Sequence, residues 1–288
     1  MMRCQTTVEA AEVLGISQPA VSNSIKQLEA QLGLTLFHRI GGRLQPTEEA
    51  QAVFAEIEPV LSLLRSFGPR LQEIRNGNAG RLRILATPPL GHTFAPLALK
   101  QFLVGREELS ISYDVRRLES IVDSVEIGTA DVGLVLGLDS HKSVHVSVIN
   151  QTEMVCLVPR GHPLEAKPLI TPPLAAQYGF VGLETGSKLG QLLQNAFESS
   201  EIPYEPKVEV RYGHTAAVLA NAGIGIAIVD VFTAHFLSNL AVTVRPFEPA
   251  IRISSSIVTR SALPASRLIQ DFAQEVRKAF SVSTIAGM

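Results

Sequence analysis

The chain changes character once, at the run Asn76-Gly77-Asn78-Ala79-Gly80. Before this run apolar residues recur at helical spacings; after it, short apolar runs bounded by turn residues alternate with helical stretches. A chain of this kind folds as a helical N-terminal part and a separate α/β part, with the Asn/Gly run as linker. Nearly continuous apolar strands such as Val132-Gly133-Leu134-Val135-Leu136 require a sheet covered on both faces. Leu82–Ala86, Ser110–Val115, Met154–Val158, Gly179–Gly182, Val208–Tyr212 and Ile224–Val229 predict the other strands. Roughly two hundred residues of this pattern are enough for two α/β lobes.

In the N-terminal part, Thr6–Leu14 and Gln18–Leu32 read as two helices joined by Gly15-Ile16-Ser17, a helix-turn-helix pattern. Val8, Ala11, Leu14, Ile16, Val21, Ile25, Leu28 and Leu32 form apolar stripes, leaving Gln18, Ser22, Asn23 and Lys26 facing out. Ser17 stands at the N-cap of the second helix and Pro19 in its first turn. Short polar groups at a helix start can reach base edges in the major groove, and Lys26, Arg39 and Arg43 can supply phosphate charge. The candidate DNA-binding set is therefore Ser17, Gln18, Pro19, Ser22, Asn23, Lys26, Arg39 and Arg43. An ordinary helical pair with a solvated polar face gives the same pattern.

Leu34–Arg39, a Gly41-Gly42 turn and Arg43-Leu44 predict a small two-stranded wing. Thr47 then caps a helix whose apolar residues, spaced three and four apart from Ala50 to Ile74, suit packing along a partner helix. Pro59 and Gly68-Pro69 are expected to kink it.

Charge and composition narrow the function. Lys plus Arg number 25 against 27 Asp plus Glu, a formal net charge of -2, so DNA contact must be local rather than a matter of bulk charge. Cys4 and Cys156 are the only cysteines, which excludes a disulfide framework and fits a reducing cytoplasm. No run reaches about 18 apolar residues and no signal-peptide core follows Met1, so a cytoplasmic protein with no membrane segment is expected.

Enzyme-like strings fail on inspection. Gly186-Ser187-Lys188 lacks the earlier glycine of a phosphate-binding loop, Val181 standing in its place. Gly223-Ile224-Gly225 suits a helix C-cap and a tight turn into a strand better than a dinucleotide turn, which needs Gly or Ala where Ile228 stands. His141 and His145 would share a metal on a helix, but only Asp139 is near as a third ligand, and an exposed turn explains them as well. No catalytic residue, metal site or cofactor is assigned.

A small molecule has better prospects. Thr87 and Pro88 follow the first strand of the α/β part, Leu136 closes another, and Glu184, Thr185 and Ser187 open a helix. His214 and Thr215 open a further helix, and Asp230 ends the strand from Ile224. Hydroxyls and backbone N–H groups gather at such element ends, and the helix start at Thr185–Ser187 suits an anion while Glu184 is available to an amine. A carboxylate-bearing, amino-acid-derived effector is the expectation. Plain capping is the competing explanation for each residue.

Thr7–Ser22, continued by Ser24–Arg39 and Pro46-Thr47, closely resembles the winged helix-turn-helix of LysR-type transcriptional regulators. The resemblance extends through Arg83-Ile84-Leu85-Ala86, Thr129-Ala130-Asp131-Val132-Gly133, Val158–Leu164 and Gly223–Ile228, nearly the whole chain. Glu184-Thr185-Gly186-Ser187, His214-Thr215 and Arg245-Pro246-Phe247 are most similar to regulators of opine catabolism. The resemblance implies a winged helix-turn-helix at 1–47, a dimerising linker helix and hinge at 48–80, and a periplasmic-binding-protein-like sensor at 81–288. Lobe one would comprise 81–153 and 256–288 and lobe two 154–255, joined by two crossing strands. A homo-dimer or homo-tetramer on double-stranded operator DNA is implied, with an interlobe effector biasing the placement of the DNA-binding heads.

Two departures from the family stand out. Only Met1–Gln5 precede Thr6–Leu14, where the family carries a further apolar helix, and Asn23 stands where arginine is common. A head without that helix is expected to be less stable and to bind DNA weakly. The alternatives are an effector-binding module or altered partner subunit with impaired DNA binding, and an enzyme on the same two-lobed fold.

Overall fold

The computed structural model describes residues 4, 6–40, 43–58, 60, 80–261 and 265–282. The chain divides into two compact units, Met1–Gln72 and Glu73–Met288.

In the first unit, α1 (Thr7–Leu14) starts at Thr6, whose hydroxyl accepts from Glu9 N–H at 3.1 Å. It ends at Gly15, where φ of 66° favours glycine. Helix α2 (Gln18–Leu32) follows from Ser17, which holds the N-cap position without a side-chain capping bond, and carries Pro19 in its first turn. Ala10, Ala11 and Val21 form the small core between the helices, with Ile25 packed on it. The buried stripe is narrower than expected: Val8, Leu14, Ile16, Leu28 and Leu32 are exposed. The two helices meet through alanines and one valine, so the contact covers only the facing residues and the larger flanking side chains fall outside it.

The wing forms as an antiparallel pair, β1 (Phe37–Ile40) with β2 (Arg43–Pro46), Phe37 opposite Pro46 and Ile40 opposite Arg43. Glu29 ties it to α2, its Oε1 accepting from Leu36 N–H at 2.8 Å and Phe37 N–H at 3.2 Å. Thr47 accepts from Ala50 N–H at 3.1 Å and so opens α3, residues 48–58. The expected Gly41-Gly42 turn, the kinks at Pro59 and Gly68-Pro69, and Asn76–Ala79 of the linker lie outside the described residues.

The second unit begins with β3 (Arg81–Ala86), α4 (Pro88–His92), α5 (Phe94–Phe102), β4 (Ser110–Val115), α6 (Leu118–Ile127) and β5 (Val132–Leu136). It continues through β6 (Val144–Pro159), a 3-10 turn (Pro163–Ala166), α7 (Pro172–Tyr178), β7 (Phe180–Leu183), α8 (Lys188–Glu198) and β8 (Val208–Val210). It closes with α9 (Gly213–Asn221), β9 (Ile226–Asp230), α10 (Val231–Phe236), β10 (Val242–Pro246), β11 (Arg252–Arg260) and α11 (Arg267–Val282). The strands are ordered β4-β3-β5-β11-β6-β9-β7-β8, with β10 also on β6.

The long strand β6 joins two lobes. Its first part pairs antiparallel with β11, Val144 opposite Arg260 and Glu153 opposite Arg252, beside the parallel strands β3, β4 and β5. From Met154 onward it pairs with β9 and β10, beside the parallel strands β7 and β8. The expected strand at Met154–Val158 is thus only the end of a longer one, whose first part alternates between exposed and half-buried residues. Strands β10 and β11 were not read from the local apolar pattern, although the resemblance implied a crossing strand near the position of β11. In β11 the buried run Ser254-Ser255-Ser256 hides the strand from an apolar pattern; Ser254 Oγ bonds Asp139 and Ser256 Oγ donates to Leu138 O at 2.6 Å. The strand expected to reach Tyr212 stops at Val210.

Other expectations have clear local causes. All five residues of β5 are buried, as its apolar run demands. After α9, Gly223 N–H bonds Ala220 O at 2.8 Å and Ile224 N–H bonds Leu219 O at 3.2 Å, with Gly223 at φ of 79°. This paired closure is a glycine helix stop, not a nucleotide turn. Arg83 and Asp131 are joined by Nη2 to Oδ1 at 2.7 Å and Nε to Oδ2 at 3.1 Å, fixing the start of β5 against β3. Phe94 of α5 stacks on Phe280 of α11 at 3.9 Å between centroids and meets Phe232 of α10 edge-on, so one aromatic cluster ties the lobes together.

Candidate functional site

A cleft of about 120 Å³ opens between the lobes of the second unit. From one lobe it is lined by Thr87, Pro88 and His92, by Arg117 and Glu119 at the start of α6, and by Leu136. From the other come Glu184, Ser187, Lys188, the segment Arg211–His214, and Asp230, Thr233 and Phe236.

Thr87 is fully committed to the framework of its wall. Its N–H bonds Leu134 O at 2.9 Å and its hydroxyl accepts from Leu136 N–H at 3.2 Å, so it terminates β5 and orients α4. Ser187 caps α8: its hydroxyl accepts from Gly190 N–H at 3.1 Å and donates to Glu184 O at 2.7 Å. A Cβ on Gly190 would stand 2.0 Å from Glu184 O, so only glycine lets α8 approach this loop.

Glu184 departs from expectation. Arg211 donates to both of its oxygens, Nε to Oε2 at 2.6 Å and Nη2 to Oε1 at 2.9 Å, so the carboxylate already has a cationic partner and is not waiting for a ligand amine. The Arg211 bonds, helped by the charge of Arg117 across the cleft, hold its pKa below the usual glutamate range. Glu119 in turn faces Arg211 from the other lobe. Thr185 and Thr215, each one residue along from a lining residue, fall outside the lining.

At the other end Asp230 is fully buried, Oδ1 accepting from Thr233 N–H and Oδ2 from Thr233 Oγ1, both at 2.8 Å. Burial pushes its pKa up against these bonds. His214 stacks on Tyr212 at 5.4 Å and meets His92 edge-on at 6.3 Å; His92 stacks on Phe236 at 5.4 Å. Burial, then the neighbouring His92, lowers the pKa of His214.

In the helical unit, Gln18 is half-buried and its Nε2 donates to Thr7 Oγ1 at 3.0 Å and to Ser22 Oγ at 3.1 Å. Both amide hydrogens are therefore used within the head, and Oε1 has no bond among the described residues. Ser17, Pro19, Asn23 and Lys26 are exposed on the same helix start, and Arg39 and Arg43 stand in the two wing strands. His141 lies in a loop and His145 in β6, so they share no helical face, and among the described residues no group of three His, Cys, Asp or Glu is placed to hold a metal. No described helix is long and apolar enough to cross a membrane.

Residues 75–281 match the family described as LysR substrate binding domain, and residues 1–51 match bacterial regulatory helix-turn-helix protein, lysR family. The chain belongs to the LysR family. This LysR-type regulator is 33% identical over 267 residues to the octopine catabolism/uptake operon regulatory protein OccR of Rhizobium meliloti, covering 92% of the chain and 88% of OccR. It is 27% identical over 263 residues to the regulatory protein NocR of Agrobacterium tumefaciens (strain T37), covering 91% and 88%. In fold it is similar to the crystal structure of CbnR, a LysR family transcriptional regulator, with a TM-score of 0.69, 19% identity, and coverage of 95% and 93%.

It is accordingly a DNA-binding transcriptional regulator with an effector-binding region, and these relatives are regulators rather than enzymes. Sequence reasoning missed much of the LysR-type cleft: Arg117, Glu119, Arg211 and Tyr212 line it with no local motif. The available signal was positional, since Arg211-Tyr212 follow the end of a strand in a parallel sheet, where ligands of α/β folds collect.

Proposed function

We propose that this regulator senses a small carboxylate-bearing, amino-acid-derived molecule in the cleft between lobe one (81–153 and 256–288) and lobe two (154–255). The observation that carries the reading is the approach of two guanidinium groups, Arg117 and Arg211, to the cleft from opposite lobes, with only Arg211 bonded to Glu184. A carboxylate between them gains charge-assisted bonds from both lobes and favours the closed arrangement. Thr87, Pro88, Leu136, Ser187, His214 and Asp230 form the surrounding wall in this reading. The naming of OccR for octopine catabolism supports the same ligand class.

In the same reading, the head at 1–47 contacts operator DNA through Gln18, Ser22, Asn23 and Lys26, with Arg39 and Arg43 on the backbone. Residues 48–80 join it to the sensor and mediate a homo-dimer or homo-tetramer. The regulator acts in the cytoplasm without catalytic turnover. Calorimetry of the full chain against amino acids and opines, octopine included, tests the sensor: a carboxylate-bearing amino-acid derivative binds tightest and Arg117→Gln weakens it. A neutral aromatic as the tightest ligand, or unchanged affinity in Arg117→Gln, overturns the reading.

A further inference from the structure

We infer that the cleft selects ligands with a cationic group at the far end of the molecule from the carboxylate, a side-chain ammonium or guanidinium, which docks against Asp230 beside Gly213. The inference rests on the cleft being the ligand site, and adds to it a dipolar ligand whose carboxylate lies toward Arg117 and whose cation lies at the opposite wall.

Asp230 is a buried carboxylate with no Lys, Arg or His bonded to it among the described residues; it is held by the N–H and hydroxyl of Thr233, with the backbone N–H groups of Phe232 and of Asp230 itself also favouring its charged form. A buried carboxylate held only by neutral donors carries an uncompensated desolvation cost, and a cation entering from the cleft would offset it. The burial-raised pKa is consistent with this unmet charge.

Gly213 supplies the access. Its φ is not in the left-handed range, so backbone freedom does not explain the glycine. A Cβ there would stand 3.3 Å from Asp230 Oδ2 and 3.4 Å from Thr233 Oγ1, filling the space directly beside the carboxylate. The neighbouring wall is made of rings, Tyr212 stacked with His214 and Phe236 stacked with His92. Ring faces attract cations and repel anions. The rest of the lining carries Arg117 and Glu119 from lobe one, and Lys188 and the Arg211–Glu184 pair from the lobe of Asp230.

Calorimetry of the full chain with L-lysine, L-arginine and L-norleucine tests the inference, because L-norleucine keeps the α-amino acid head and the chain length of lysine but lacks the terminal ammonium. The expected result is at least tenfold tighter binding of lysine or arginine than of norleucine. Asp230→Asn, which retains an N-capping side chain, should bring the ratio within twofold, and so should Gly213→Ala, which leaves the carboxylate in place. Norleucine binding as tightly as both cationic amino acids overturns this inference and leaves the carboxylate reading intact. A tenfold ratio that persists in both variants overturns the assignment to Asp230. No binding by any of the three overturns this inference and leaves the carboxylate reading to the opine titrations.

Discussion

Arg211 and Glu184 are joined by two parallel hydrogen bonds, Nε to Oε2 at 2.6 Å and Nη2 to Oε1 at 2.9 Å, although 27 residues separate them. The pair is partly exposed, so its contribution to stability is small. Its effect is on the charge of the cleft: it holds Glu184 ionised and neutralises it. In Arg211→Gln the Glu184 pKa should rise toward the ordinary glutamate value of about 4.3, read by NMR titration of labelled glutamate. Carboxylate ligands should bind about tenfold more weakly, equivalent to about 1.4 kcal/mol. Because the folded pKa is depressed, whatever stability the pair adds is present above the unfolded pKa and lost as pH falls through the folded one.

Gly190→Ala tests how tightly α8 is seated on the Glu184 loop. The added Cβ would stand 2.0 Å from Glu184 O and 2.9 Å from Leu183 O, both backbone atoms that no rotamer change relieves. Alanine normally favours a helix over glycine by up to about 1 kcal/mol. Here overpacking should dominate, with a net loss of about 1–3 kcal/mol in urea denaturation. Stabilisation by this substitution would mean that the loop moves away at little cost.

His214 gives the sensor a pH dependence with a definite sign. Its pKa is lowered in the fold, first by burial and then by His92, so the unfolded chain takes up a proton at higher pH than the folded one. Its contribution is therefore complete above the unfolded histidine value of about 6.5 and declines as pH falls through the folded value. Denaturation midpoints between about pH 8 and pH 5, the range in which histidine titrates, should fall less steeply in His214→Phe than in the unaltered chain. Equal slopes would assign the pH dependence to other groups.

The fold was legible wherever an element buries a continuous apolar run. Val132–Leu136 became a fully buried strand for that reason. The first part of β6 and the Ser254–Ser256 stretch of β11 escaped because they cross between lobes and carry polar residues, of which Ser254 and Ser256 find partners at Asp139 and Leu138, far along the chain. The cleft was legible in part for the same physical reason. Thr87, Ser187 and Asp230 stand at element ends and carry local capping signatures, whereas the claim of Arg211 on Glu184 depends on β8 lying beside β7. Pairing across parallel strands is set by topology, and no local spacing encodes it. The expectation of a free Glu184 failed there.

The helical head allows base reading to be separated from phosphate attraction. Gln18 spends both amide hydrogens on Thr7 and Ser22, which fixes its side chain and leaves Oε1 to accept a hydrogen bond from a base edge. A fixed acceptor discriminates between bases better than a mobile one, because less side-chain entropy is lost on docking. Gln18→Ala should therefore cost about 1–3 kcal/mol on the operator and relax specificity at one position. Ser22→Ala should cost less than Gln18→Ala, since Ser22 acts here as an acceptor that steadies Gln18, and the double variant should be less damaging than the sum. Lys26 is exposed on the same helix, and Lys26→Ala should weaken operator and unrelated DNA alike while reducing the salt slope by about 1. Gel-shift titrations of the full chain on operator and scrambled duplexes at several salt concentrations distinguish these patterns. Equal losses on both duplexes for Gln18→Ala would move base reading elsewhere on the head, with Asn23 the next exposed polar side chain on that helix.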